Sequence, residues 1–172
     1  MSQVLENIKT RRSIRKYSQK DVPMELIEKI CEAGTYAPTG MNRQSPIIVA
    51  ITNKEIRDRI SQMNGAVMNS QNDPFYGAPV ILVVLANKDV PTYIYDGSLV
   101  MQNLMLAAHE LGLGSAWIHR AKEVFASEEG KALLKEWGIE GNYEGIGNCI
   151  IGYPDQEVET KPRKDNYVYY VK

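Results

Sequence analysis

Val80-Ile-Leu-Val-Val-Leu-Ala86, followed shortly by the long segment Tyr93 to Leu111, decides what kind of fold this chain can form. The first stretch is an unbroken aliphatic run, as expected of a strand covered on both faces. The second reads as the longest helix. Leu99, Val100, Met101, Leu104, Leu106, Ala107, Ala108 and Leu111 nearly encircle it, and a helix apolar on so many sides is buried, often against a partner subunit. Gly112 stops it. Working outward, Ile47 to Thr52 predicts a second buried strand, Ser115 to Ile118 a short extended piece, and Gly145 to Gly152 a last core strand.

Helices fill the gaps. Val4, Leu5 and Ile8 share a face behind a Ser2 cap, and Asp21-Val22-Pro23 opens a helix carrying Leu26, Ile27, Ile30 and Cys31 inward. Pro38 disfavours helical geometry at Ala37 and ends it. Lys54 to Met63 and Lys131 to Trp137 are amphipathic. Asn64 to Gly77, rich in Asn, Gly, Ser and Gln, reads as a loop, either a lid or an ordinary surface connection. Strands interleaved with helices give a layered α+β or α/β fold, and periodicity alone does not choose between them. One domain over 1–172 is expected, with an extended tail over about 153–172 whose run Tyr167 to Val171 offers an edge strand to its own sheet or a partner's.

The chain has 172 residues and a formal charge of −1, from 20 basic and 21 acidic side chains. That balance argues against nucleic acid as a partner. No apolar run approaches a membrane span, and the N-terminus lacks the features of a signal peptide. Cys31 and Cys149 fit no metal or redox spacing and read as small buried hydrophobes, consistent with the cytoplasm. Phosphate-loop, dinucleotide-fingerprint, nucleophile-elbow and zinc-protease motifs are all missing, and no metal is expected. His109 falls inside the long helix, where a structural role is expected.

Two cationic clusters remain: Arg11, Arg12 and Arg15 around Ser13, and Lys161, Arg163 and Lys164 near the other end. They read either as solvated surface or as an anion site, because guanidinium forks match phosphate oxygens. Arg11-Arg-Ser-Ile-Arg-Lys-Tyr17 resembles the opening motif of the FMN-dependent nitroreductase family, and Ala37-Pro-Thr-Gly-Met-Asn-Arg-Gln44 resembles its second. Asp96 to Leu104, Gly112 to Trp117, and Gly152-Tyr-Pro154 followed by Lys161-Pro-Arg163 match in register.

The resemblance implies an α+β, three-layer fold with a mostly antiparallel sheet flanked by helices, in an intertwined homodimer with shared sites. It implies that Arg11, Arg12 and Ser13, helped by Lys161 and Arg163, hold the FMN phosphate and ribityl chain. Arg15 would sit at the flavin N1–C2=O edge, where a fixed cation favours the reduced form. Pro38, Thr39, Gly40 and Asn42, with Gln44 nearby, would come from the other subunit, and backbone at Glu144, Gly145 and Ile146 would lie beside flavin N5. The implied reaction is hydride transfer from NAD(P)H, then reduction of a nitroaromatic, quinone or similar flat small molecule. Reductive dehalogenation, flavin fragmentation and non-catalytic flavin binding are the alternatives. Gly40 departs from a frequent serine, implying one lost hydrogen bond to the flavin. Met41 and the 64–76 loop are expected to shape acceptor choice, while His119 and Arg120 either join them or lie on the surface.

Overall fold

A computed structural model describes residues 2–172. In chain order the elements are α1 (Gln3–Thr10), α2 (Met24–Thr35), β1 (Pro46–Ile51), α3 (Lys54–Val67) and β2 (Val80–Asn87). Then follow α4 (Tyr93–Glu110), β3 (Gly114–Ile118), α5 (Ala121–Ala126), α6 (Glu128–Glu136) and β4 (Tyr143–Gly152). The strands lie in the order β1-β2-β4-β3, and every neighbouring pair is antiparallel. The fold is therefore α+β.

The alternation of side chains along β2 sorts the core into two layers. Ile81, Val83 and Leu85, with Ile150 of β4, pack beside Ile60, Val124, Phe125 and Leu133 of α3, α5 and α6. Val80, Leu82 and Val84, with Cys149 and Ile151, pack beside Ile30 of α2 and Met101, Leu104 and Ala108 of α4. A strand apolar at every position is what this sandwiching demands. The expectation for β1 was too strong. As an edge strand with one neighbour, it leaves Ile47, Ile48 and Val49 only partly buried.

Other differences have local causes. Residues 64–67 continue α3 rather than opening a loop, because Asn64 turns inward and accepts from Asn148 Nδ2 at 3.2 Å. The connection that follows is tied down by Asp73, which accepts from Arg57, Ser61 and the backbone N–H groups of Phe75 and Gly77. Phe75 is fully buried beneath it, while Tyr76 is exposed. The short helix α5 was not anticipated. On α4, Ile94, Tyr95 and Leu99 stay exposed in the single chain although the opposite face is covered. Tyr167 to Val171 forms no strand among the described residues and is exposed. No helix among these residues is long and apolar enough to cross a membrane.

Candidate functional site

After α1 the chain runs extended along the outer edge of β3. Ser13 bridges Ser115 in parallel, and Ile14 N donates to Ser115 O at 3.0 Å. Gly114 makes this approach possible, since a Cβ there would lie 2.8 Å from Ile14 Cγ1. Tyr17 anchors the far end by donating to Ile14 O at 2.7 Å. Arg12 Nη1 is spent on the carbonyls of Lys9 and Arg11, both at 2.7 Å.

The other donors here are not spent. Arg11 Nη1, Arg12 Nε, Ser115 Oγ and Trp117 Nε1 are shielded from solvent and have no hydrogen-bond partner. Ser115 and Trp117 pair with Ile151 and Cys149, so both side chains lie on the α4 side of the sheet. A buried donor without an acceptor costs about 1–3 kcal/mol, and more when charged. Burial, and then the neighbouring Arg12, push the Arg11 guanidinium below its ordinary pKa. His109 borders the same region. Thr10 Oγ1 donates to Glu6 O at 2.8 Å, so the 2.9 Å contact with His109 Nε2 has the ring donating. Burial, then Arg11, holds the imidazole below its usual pKa. The two adjacent guanidinium groups with unused donors suit an acceptor with several oxygens.

The Pro38–Gln44 segment lies at the opposite edge, where the chain enters β1. It turns through a 3₁₀ segment, Gly40–Asn42, with left-handed backbone at Met41, Asn42 and Gln44. Asp96 on α4, 3% exposed, holds it. Its carboxylate accepts from Gly40 N, Ser45 Oγ and Thr92 Oγ1, each at 3.0 Å. Asp96 escaped sequence reasoning as a site residue. The available signal was one carboxylate in the first turn of an otherwise apolar helix. Gly40 also has a steric reason to replace serine, because a Cβ there would sit 2.4 Å from Thr92 Oγ1. Pro38 and Thr39 precede the turn, Thr39 Oγ1 accepts from Gln44 N at 3.1 Å, and Met41 is 85% exposed.

Glu144, Gly145 and Ile146 form a bulge in β4. Val84 pairs with Gly147 and Leu85 with Gly145, which leaves Ile146 as the extra residue. Ile146 presses on α4 at Gly97, where a Cβ would come within 2.5 Å of Ile146 Cγ1. The Glu144 carboxylate accepts from Tyr93 OH at 3.0 Å and pairs with Lys122 at 3.2 Å.

The remaining expected residues are scattered. Arg15 is exposed and makes no hydrogen bond or ion pair among the described residues. Lys161 and Arg163 lie in the exposed tail, where Arg163 Nη2 donates to Lys161 O at 3.2 Å, and no hydrogen bond joins them to Arg11 or Arg12 among the described residues. His119 lies 5.8 Å from the Trp117 ring, and Arg120 pairs with Glu123 at 2.9 Å. Both cysteine thiols are pushed up by burial, Cys149 to about 12.

A helix-flanked antiparallel sheet, with an arginine segment carrying unpaired donors at one edge, defines the class as an α+β protein. The nitroreductase family model matches residues 8–158, and the chain belongs to that family. A protein of Archaeoglobus fulgidus is 33% identical over 97% of this chain and 94% of its own length. A Methanothermobacter thermautotrophicus protein is 37% identical, but the match spans 66% of this chain and only 59% of that protein. Both carry the name NADH dehydrogenase/NAD(P)H nitroreductase, given provisionally. Among solved structures, a nitroreductase with bound FMN from Bacteroides fragilis superposes with a TM-score of 0.91 at 27% identity, covering 100% of both chains.

Proposed function

We propose that this chain is an FMN-dependent oxidoreductase that takes hydride from NADH or NADPH and passes the electrons to a flat organic acceptor, such as a nitroaromatic or quinone. The observation that carries the reading is the pair of shielded, unpartnered guanidinium nitrogens on the adjacent Arg11 and Arg12, with the unpaired hydroxyl of Ser115 on the neighbouring strand. A phosphomonoester offers only acceptors at neutral pH and carries roughly two negative charges, so it satisfies such a set. The residues therefore fit the group.

Arg11, Arg12 and Ser13 would hold the phosphate and ribityl chain, with Lys161 and Arg163 joining from the tail. Arg15 would stand at the N1–C2=O edge, and the bulge at Glu144, Gly145 and Ile146 would present backbone groups beside the ring. When bound, FMN supplies hydride chemistry that no side chain here provides. The protein's own contribution is to position the reactants and to place fixed positive charge.

Pro38, Thr39, Gly40, Asn42 and Gln44 would come from a second copy in a homodimer with shared sites. Two features support this. Asp96 holds that loop near one end of α4, while His109 meets the arginine segment near the other, about 20 Å away at 1.5 Å per residue. The loop also enters the β1 edge and the arginines line the β3 edge, a further ~14 Å apart at roughly 4.8 Å per strand. The exposed apolar residues Val4, Leu5 and Ile8 of α1 and Tyr95 and Leu99 of α4 supply surface for such an interface. Two free cysteines, Cys149 buried and Cys31 half-buried, suit the cytoplasm.

The experiment is an absorbance spectrum of the purified protein before and after anaerobic NADH or NADPH. Flavin bands near ~450 nm that bleach and return with a quinone are expected. A protein that takes up no FMN would remove the proposal.

A further inference from the structure

Beyond the candidate site, α5, α6 and the start of β4 enclose a cleft of about 380 Å³. Lys88, Lys122, Lys131 and Lys135 line it, over an apolar floor that includes Phe125 and Leu134. Its one carboxylate is Glu144, so four lysines against one acid line the cleft in a chain whose formal charge is −1. Lys122 and Lys131 carry ion pairs, to Glu144 at 3.2 Å and Glu128 at 2.8 Å. The Lys131–Glu128 pair is exposed on both sides and such pairs are worth little, so an arriving anion can take Lys131 over, whereas Glu144 is largely buried and keeps Lys122. The side chains of Lys88 and Lys135 make no ion pair or hydrogen bond among the described residues.

We propose that this cleft receives the phosphorylated adenosine end of the nicotinamide donor, so that the enzyme prefers NADPH to NADH. The proposal rests on the oxidoreductase reading given above. Three features select the ligand. The volume lies at the lower end of the range for small-molecule sites, about 300–1,000 Å³, which suits a fragment of a dinucleotide rather than the whole. The apolar floor matches the face of a purine. The ring of lysines matches a phosphomonoester, which carries more charge on one phosphorus than either phosphoryl of the internal pyrophosphate. Glu144 belongs to both places, lining the cleft and lying in the bulge assigned to the flavin ring. A donor spanning the two keeps its nicotinamide on the flavin side and its 2′-phosphate among the lysines.

The test uses flavin-loaded enzyme and two probes, 2′,5′-ADP and 5′-AMP, titrated calorimetrically. The expected result is at least tenfold tighter binding of 2′,5′-ADP, about 1.4 kcal/mol. In the Lys88→Gln/Lys135→Gln double variant that preference disappears, and the KM for NADPH rises about tenfold while kcat and the KM for NADH hold. Both lysines are exposed, and bound flavin content checks that the variant is folded. Equal affinity for the two probes, or an unchanged NADPH KM in the variant, overturns the proposal while leaving the parent reading intact if NADH still bleaches the flavin. Flavin that neither nicotinamide bleaches overturns the parent reading and this proposal together.

Discussion

The arginine segment and the Pro38–Gln44 loop occupy opposite edges of one sheet and are finished in opposite ways. The loop satisfies itself. Asp96 absorbs the donors of Gly40, Ser45 and Thr92, and Thr39 takes Gln44 N. The arginine segment leaves donors of Arg11 and Arg12 without an acceptor. The first is a wall built in advance. The second, on the function proposed above, is a clasp whose donors find their acceptors only in a ligand. Substitutions should therefore divide, with the clasp changing affinity and the contacts that build the wall from behind, at Asp96, Thr92 and Gly40, changing stability.

The largest effect is expected at Arg11. Hydrogen bonds to charged groups are worth about 1.5–3 kcal/mol, so Arg11→Ala should weaken FMN binding about 10- to 150-fold in a flavin fluorescence titration. Because the nitrogen it removes has no partner, the FMN-free variant should melt no lower than the FMN-free parent. A lower melting temperature would blur the division.

Asp96→Ala should do the reverse. It strands three donors on a loop that is otherwise complete, at a cost of about 3 kcal/mol. For a domain of this size, Tm should fall by roughly 6–12 °C in calorimetry. An unchanged Tm would mean that the loop does not depend on its carboxylate.

Gly40→Ser tests the same wall by steric means. Its Cβ meets Thr92 Oγ1 and Cγ2 at 2.4 and 3.0 Å, so it should cost about 1–3 kcal/mol in urea unfolding. Thr92→Ala in the same chain should recover part of that loss, read as a coupling energy in a double-mutant cycle. Purely additive effects would show that the contact is not the cause.

The smallest effect concerns His109. Its pKa is lowered on folding, so the unfolded chain binds the proton first as pH drops. Stability of the FMN-free protein should be complete above the ordinary histidine value of 6.5 and decline as pH falls below it. His109→Gln should flatten that slope in pH-dependent melting curves, and an unaltered slope would assign it to other groups.

Much of this was legible in the sequence because the signals were periodic. Val80 to Ala86 must be sandwiched, and it is; the helix Tyr93 to Leu111 ends within a residue of where Gly112 implies. Tertiary contacts hid the rest. Asn64 and Gly65 read as loop residues, yet Asn148 opposite turns that stretch into helix. The Asp96 clamp depends on three donors distant or unremarkable in sequence, so no motif marks it. The bulge at Ile146 is a property of strand register that a single strand cannot reveal. The arginine segment was visible because its residue types announce an anion, but only the fold shows that its donors lack acceptors. The expected convergence of Lys161 and Arg163 on that segment is not seen within one chain among the described residues.

The central claim is that each site combines the clasp of one chain with the wall of another, and mixed dimers test it most directly. Chains carrying Arg11→Ala and Asn42→Gly, on different affinity tags, would be co-expressed and the mixed dimer isolated. Glycine is chosen because Asn42 sits at a φ of 53°, which glycine adopts without strain. Each pure variant should retain little FMN and little nicotinamide oxidation. The mixed dimer collects both lesions in one site and leaves the other intact, so it should hold about one tight FMN per two chains and about half the parental activity. Mixed dimers that bind no more FMN than either pure variant would contradict the shared site.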